Sequence, residues 1–265
     1  MGKLTNSMWR VLGAQSSRNQ SKSLSLLDDA AAHTEWAAGV DAADVAAEAE
    51  KLDMADKVDR ARFLALVREV ADRSLGLRPF DVQLQGALRL LEGDIIEMAT
   101  GEGKTLVGAI AAVGFVLNGH HVHVISVNDY LATRDAEWMK PLFDAFGIES
   151  RAVSENSTRD ERRRAYASDV VYGSVNEIGF DVLRDQLALT EDELVSATPD
   201  VAIIDEADSV LVDEALIPLV LAGSTEAEVP DQAIHEVVAK LKKKHYDIDS
   251  EGRNVTLTDE GAEFV

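Results

Sequence analysis

The chain has 265 residues, 46% of them hydrophobic, and its 48 acidic and 26 basic side chains give a net charge of −22. This composition excludes a disordered chain, because it can bury one α/β core and part of a second domain. The absence of cysteine excludes disulfides and thiolate metal sites and is typical of a cytoplasmic protein. The strong negative charge argues against nonspecific attraction to nucleic acid, so no nucleic acid partner is expected.

The first 27 residues form a basic segment that carries four Lys or Arg side chains and no acid. Leu4, Met8, Val11 and Leu12 recur at helical spacing within it. This pattern predicts a short amphipathic helix that could lie on an anionic membrane surface or in a partner groove. A helix packed on its own domain explains the pattern equally well.

Helical patterns follow over residues 23–74, with Gly76 as an expected C-cap and a further helix expected from Asp81 to Leu91. Strand and helix signals then alternate. Strands are predicted at 94–98, 121–127, 149–153, 169–173 and 201–205, and helices at 104–118, 132–146, 158–167 and 175–187. Such alternation predicts an α/β fold with a mostly parallel sheet and helices on both faces.

A phosphate-binding loop is indicated by residues 98–105, Met-Ala-Thr-Gly-Glu-Gly-Lys-Thr, between a predicted strand and a predicted helix. The glycines Gly101 and Gly103 let the backbone fold around an oxyanion, Lys104 supplies a positive charge, and Thr105 offers a hydroxyl to Mg²⁺. The pattern expects glycine where Met98 stands, and a Gly-Lys-Thr triplet also occurs by chance in surface turns. The loop predicts binding of a nucleoside triphosphate.

A second half of the same site is indicated by the apolar strand at 201–204, which runs directly into Asp205 and Glu206. The tip of a buried parallel strand opens on a ligand crevice. Asp205 is expected to hold Mg²⁺ and Glu206 to polarise the attacking water in phosphoanhydride hydrolysis. An acidic strand end that merely faces solvent is the alternative.

The pattern changes after Gly223. Residues 224–230 are typical of a linker, and a Lys-rich helix and a hairpin turning at Glu251-Gly252 follow. A last helix opened by Thr258 stops soon after it begins. We expect a second domain that is not finished within this chain, and therefore a fragment.

Four blocks of the sequence, residues 78–106, 127–139, 170–187 and 203–223, resemble in order the signature blocks of SecA, the bacterial preprotein translocase ATPase. The resemblance implies a RecA-like, helicase-like first lobe that uses ATP/ADP and Mg²⁺. It implies three parts: the basic segment 1–27, a first nucleotide-binding domain at 28–222, and the truncated start of a preprotein-crosslinking domain at 223–265. The implied partners are preproteins, a SecYEG-type channel and an anionic membrane surface bound by the basic segment. The implied location is the cytoplasmic face of the cell membrane.

The resemblance also assigns roles to single residues. It implies that Gln83 reads the adenine, with Phe80 and Leu77 beside it. It implies that Arg134 couples the nucleotide cleft to moving domains, although an ion pair with Asp135 or Glu137 would explain Arg134 as well. The implied phosphate loop comprises Gly101, Glu102, Gly103, Lys104 and Thr105, and the implied metal-binding and water-activating pair is Asp205 and Glu206.

One departure from the family pattern distinguishes this chain. The housekeeping proteins have Asp-Glu-Ala-Arg-Thr-Pro after the acidic strand, whereas residues 213–218 here read Asp-Glu-Ala-Leu-Ile-Pro. Similar changes occur in the accessory SecA paralogue, which favours that subtype.

Two other functions remain as alternatives. Residues 205–208 spell the Asp-Glu-Ala-Asp tetrapeptide of a nucleic-acid helicase lobe. The chain could also hold nucleotide without catalysis, because two-lobe motors keep their charge-stabilising arginines in the second lobe. We expect this chain alone to bind nucleotide and to turn it over weakly.

Overall fold

The computed structural model describes residues 15–196, 200–220, 238–248 and 255–264. The chain divides into two compact units, Met1–Leu219 and Val220–Val265. The predicted amphipathic helix at 4–12, the predicted linker at 224–230 and the predicted hairpin turn at 251–252 lie outside the described residues. In the part that is described, no helix combines the length and apolar character needed to cross a membrane.

Within the described residues, five helices precede the sheet: α1 (Gln15–Ala31), α2 (Thr34–Gly39), α3 (Val45–Ala49), α4 (Lys57–Leu75) and α5 (Asp81–Leu91). The longest, α4, begins where the Asp56 carboxylate accepts from the Val58 and Asp59 amides. It ends at Gly76, whose left-handed φ of 67° closes the helix as predicted.

The sheet is formed by β1 (Val122–Ser126), β2 (Ser150–Ala152), β3 (Val170–Ser174) and β4 (Val201–Ile204), in the order β2-β3-β1-β4. All neighbouring strands are parallel. Helices α6 (Lys104–Leu117), α7 (Asp129–Ala145), α8 (Arg159–Tyr166) and α9 (Val175–Gln186) connect and cover them. Every residue of β3 is buried, as expected of a strand covered on both faces. The predicted α/β class is confirmed.

The strand predicted at 94–98 is not formed, and this prediction was wrong. These residues have no regular secondary structure and pair with no strand among the described residues, and Ile95 is 94% exposed. The segment is held instead by side chains, since Ile96 and Met98 lie against Gly86 of α5. Apolar alternation predicts an extended segment, but a strand also requires a neighbour with which to exchange backbone hydrogen bonds.

A buried polar cluster joins α8 to α9. The Arg162 guanidinium donates to Asp181 at 2.7 Å and to Glu177 at 2.6 Å, and the Tyr166 hydroxyl donates to Asp181 at 2.8 Å. Asp181 is fully buried. Burial and the nearby Asp181 carboxylate raise the pKa of Tyr166, so its hydroxyl stays protonated as a donor. The cluster therefore joins the two helices through two carboxylates of α9, Asp181 and Glu177.

The second unit contains β5 (Tyr246–Ile248) paired antiparallel with β6 (Val255–Leu257), followed by α10 (Asp259–Phe264). The two strands of the predicted hairpin are confirmed. The Thr258 hydroxyl accepts from the Gly261 amide at 3.2 Å, so the last helix begins where its sequence predicted.

We expect Arg162→Ala to lower the free energy of unfolding by about 3 kcal/mol, because Asp181 would lose its main buried counter-charge. Arg164→Ala is a matched control on the same helix: Arg164 is exposed and its hydrogen bond goes to the Asp160 carbonyl. The control should change stability by no more than about 0.5 kcal/mol. Urea unfolding measures both, and equal midpoints for the two variants would contradict the buried-charge account.

Candidate nucleotide site

The predicted phosphate loop forms the entry to α6. Gly103 is the N-cap of this 14-residue helix, and both Gly101 and Gly103 have left-handed φ values, 86° and 83°. The Glu102 carboxylate accepts from the Ala99 amide at 2.9 Å and so braces the loop internally. Lys104 and Thr105 are the first two residues of the helix. The free amides and the positive end of the helix dipole at this point favour an anion.

Gln83 lies directly against the loop. Its Nε2 donates to the Glu102 carbonyl at 2.8 Å, while its Oε1 accepts from the Phe80 amide at 2.9 Å. Phe80 is 72% exposed, and Leu77 is partly buried against the core. Both polar atoms of the Gln83 amide thus bond the backbone here, which orients the amide and leaves one N–H and one oxygen lone pair for a base edge.

The acidic pair follows β4 without interruption. The Asp205 amide donates to the Ile125 carbonyl of β1 at 2.9 Å, which continues the ladder by one residue. The Asp205 carboxylate then accepts from the Glu206 amide at 2.9 Å. Glu206 has φ 52° and is the one non-glycine residue with positive φ in the described ranges. Such strain is stored where the surrounding structure holds it, and it turns the chain sharply at the strand tip.

Packing brings the loop and the acidic pair to the same edge of the sheet. A Cβ on Gly108 of α6 would lie 3.9 Å from the Ile203 side chain of β4. Lys104 lies one helical turn before Gly108, about 6 Å away along the helix axis. Asp205 lies two residues forward along the strand, about 7 Å. Because a short connection joins α6 to β1, the helix runs antiparallel to the strands, and both displacements point toward the carboxyl edge.

Arg134 and Thr105 meet at a residue that the sequence motifs did not single out. Asp135 is only 4% exposed. Its carboxylate accepts hydrogen bonds from Arg134 Nε at 2.8 Å and from the Thr105 hydroxyl at 3.4 Å. The Arg134–Asp135 ion pair anticipated as the alternative role of Arg134 is therefore present. A signal for Asp135 existed: it falls on the buried face of α7 with Ala132 and Met139, where an acid is uncommon.

We expect Gly103→Ala to destabilise the protein more than Gly101→Ala. Both positions have a left-handed backbone, for which a side chain costs about 1 kcal/mol. A Cβ at Gly103 would also overlap Gln83 Nε2, whereas none of the structure lies within 4 Å of one at Gly101. Displacing Gln83 breaks its bond to the loop, worth about 1 kcal/mol.

Urea unfolding of both variants, alone and combined with Gln83→Ala, measures this difference. The excess cost at Gly103 should disappear once Gln83 is Ala, because the colliding amide is then absent. An excess that persists in the Gln83→Ala background would contradict the proposed contact.

Comparison with known proteins adds an independent finding. A family model described as the SecA DEAD-like domain matches residues 8–262. The chain is 56% identical over 268 residues to a protein translocase subunit SecA of Mycobacterium avium and 57% identical to a protein translocase subunit SecA 2 of Mycolicibacterium smegmatis. A SecA 2 subunit of Mycobacterium leprae is 56% identical. Each match covers 100% of this chain and 34% of the relative, so the chain spans about a third of their length.

Proposed function

Because this chain belongs to the SecA family, we propose that it is the ATP-binding lobe of a motor that couples ATP hydrolysis to the export of preproteins across the cytoplasmic membrane. The observation that carries the proposal is the approach of the α6 N-terminus and the Asp205-Glu206 tip of β4 at one edge of the sheet. The family match favours this function over a nucleic-acid helicase lobe. The names of the SecA 2 relatives support the accessory subtype.

In this proposal the loop from Gly101 to Thr105 binds the phosphates. Its backbone amides and the helix dipole attract the negative charge, and the Lys104 ammonium adds a compact positive charge next to the β- and γ-phosphates. Gln83, Phe80 and Leu77 border the position of the base. Exposed Phe80 offers an aromatic face, and the Gln83 amide, held by its two backbone bonds, offers its second N–H and its second oxygen lone pair to adenine.

The oxygen donors at the site fit Mg²⁺, which prefers hydroxyl, carboxylate and water ligands. The Thr105 hydroxyl and the Asp205 carboxylate would hold it, and bound Mg²⁺ supplies positive charge that offsets the charge developing on the phosphates. The Thr105 oxygen would bind Mg²⁺ through a lone pair while its proton stays directed at the Asp135 carboxylate, 3.4 Å away. Glu206 is exposed at the strand tip, where its carboxylate would orient the attacking water.

The motor would also need to couple the nucleotide site to its moving domains and to bind partners. Arg134 is about half exposed and would communicate between the nucleotide and moving domains through Asp135. We also propose that the chain has three parts: a basic segment 1–27, a nucleotide-binding domain 28–222 and the start of a preprotein-crosslinking domain at 223–265. The proposed partners are a SecYEG-type channel and an anionic membrane surface, and the proposed location is the cytoplasmic face of the membrane. The lobe alone would hydrolyse ATP weakly, since a second lobe would supply the arginines that stabilise the transition state.

We expect Lys104→Arg to weaken binding of ADP to this chain by about tenfold or more, because a planar guanidinium cannot take the place of a compact ammonium inside the loop. Fluorescence titration with a labelled ADP, in Mg²⁺, measures the affinity. Lys51→Arg makes the same exchange at an exposed position on another surface and should leave the affinity unchanged. Equal affinities for Lys104→Arg and the unsubstituted chain would remove Lys104 from the site.

We expect Glu206→Gln, in the full-length motor, to retain ATP binding and to lose hydrolysis by about 10²-fold or more, because the amide cannot accept a proton from water. Steady-state phosphate release and ATP titration separate the two effects. Glu35→Gln, at an exposed position of α2, is the matched control. Retained hydrolysis in Glu206→Gln would assign the water-activating role to another group.

A further inference from the structure

The edge of the sheet at β2 is open in the described part of the chain. Among the described residues, strand β2 pairs with β3 alone, and bonds from the Val170 amide to the Glu149 carbonyl and from the Val153 amide to the Tyr172 carbonyl extend this pairing at both ends. Because inward and outward groups alternate along a strand, the amides and carbonyls of Ser150 and Ala152 point away from β3. Ser150 is only 8% exposed and Ala152 is partly exposed, and their outward backbone groups have no partner among the described residues. These groups form a recessed edge with which an added strand would pair.

A groove of about 550 Å³ follows this edge. One wall is the face of α7 that carries Thr133, Glu137 and Lys140, and the opposite wall is the face of α8 that carries Glu161 and Arg164. All three residues of β2 border the groove. An edge strand between two helices combines a source of backbone hydrogen bonds with walls that select side chains.

The groove continues toward the nucleotide site. A neighbouring recess of about 510 Å³ shares Thr133 and Glu137 with the groove and extends to Tyr130 and Arg134. Tyr130 is 74% exposed, which leaves its ring available to a ligand. From Tyr130 to Lys140 α7 is about 15 Å long, the length of four or five extended residues.

The end of the groove is rigid before anything binds. The loop at 154–157 borders it, and buried Arg162 holds that loop by donating to the Ser154 carbonyl at 2.6 Å and to the Ser157 carbonyl at 3.1 Å. The Ser157 hydroxyl also accepts from the Ser154 amide at 3.0 Å. A preformed binding surface of this kind loses little conformational entropy when a ligand is bound.

The charge of the groove is positive in a chain whose net charge is −22. Its basic side chains are Lys140, Arg151 and Arg164, and its acids are Glu137 and Glu161. Glu161 is already engaged, since its carboxylate accepts from both the amide and the hydroxyl of Thr158 at 2.8 Å. Lys140 and Arg151 are in turn paired with Asp144 and Glu149, which lie outside the groove lining. The three cations of the lining still outnumber its two acids, which favours a ligand with a negative side chain.

We propose that the groove between α7 and α8 binds an extended polypeptide segment of four or five residues that carries an acidic side chain, by adding a strand to the open edge of β2. The segment exchanges backbone hydrogen bonds with Ser150 and Ala152, and its carboxylate lies near Lys140 and Arg164. Its far end reaches Arg134, which contacts Asp135 and through it Thr105. The proposal does not depend on the ATPase function proposed above.

The test measures binding of a fluorescein-labelled Thr-Val-Glu-Val-Thr peptide to this chain by fluorescence anisotropy. Two matched peptides complete the set: one with Lys in place of Glu, and one N-methylated at alternate backbone amides, which cannot pair as a strand. Lys140→Glu is the groove variant. Lys51→Glu is its control, because both lysines are exposed and each forms one short-range ion pair, Lys140 with Asp144 and Lys51 with Glu48.

We expect the Glu peptide to bind and the N-methylated peptide to lose binding. Lys140→Glu should weaken binding of the Glu peptide by about threefold to tenfold, as expected for a charge at the rim of an interface. Lys51→Glu should leave the affinity for this peptide unchanged. Ala152→Pro removes one outward amide without breaking the ladder to β3 and should also weaken binding. Equal binding of the Glu and Lys peptides, unaltered binding of the N-methylated peptide, or equal effects of the two lysine variants would overturn the proposal.

Discussion

The packing of α6 against β1 and β4 is the contact on which the candidate site depends. Gly108 faces Ile203 across this packing, where an added Cβ would lie 3.9 Å from the Ile203 side chain, and the packing fixes how far Lys104 lies from the carboxyl tip of β4. The loop and the acidic pair are about a hundred residues apart in the chain. No local interaction joins them, so the shared edge exists only because the buried face of α6 covers these strands.

Around this contact, the polar groups of the site are engaged with one another. Gln83 bonds the loop carbonyl and the Phe80 amide, and Thr105 shares Asp135 with Arg134. In the proposed function, these internal bonds orient Gln83 and Thr105 before ATP and Mg²⁺ bind, because each side chain keeps a free lone pair, and Gln83 also a free N–H, for the ligand. Binding at Thr105 would reach Asp135 on α7 through the hydroxyl that joins the two residues.

The nucleotide site and the groove along β2 share α7. The second turn of this helix contributes Arg134 and Asp135 to the nucleotide site, and Thr133, Glu137 and Lys140 of the same helix form one wall of the groove. The buried Arg162 cluster holds the opposite end of that groove. One rigid helix thus borders both the proposed ATP site and the proposed peptide groove, which is a simple mechanical basis for coupling them.

The sequence by itself determined the element types and the identity of the loop. Periodicity predicted the helices and the four strands that form the sheet, and local rules fixed Gly76 and Thr258 as helix boundaries, because caps depend on neighbours within one turn. The signature blocks indicated the family by their residues alone. These features depend on residues close in sequence or on motifs whose chemistry allows few substitutions.

Only the tertiary structure decided which groups meet. It showed that residues 94–98 lack a strand partner, that Gln83 bonds the phosphate loop, and that Asp135 lies between Thr105 and Arg134. It also showed the open edge of β2 and the basic groove beside it. Strand pairing and side-chain contacts join residues distant in the chain, and their geometry follows from how helices pack on the sheet, which local sequence patterns do not encode.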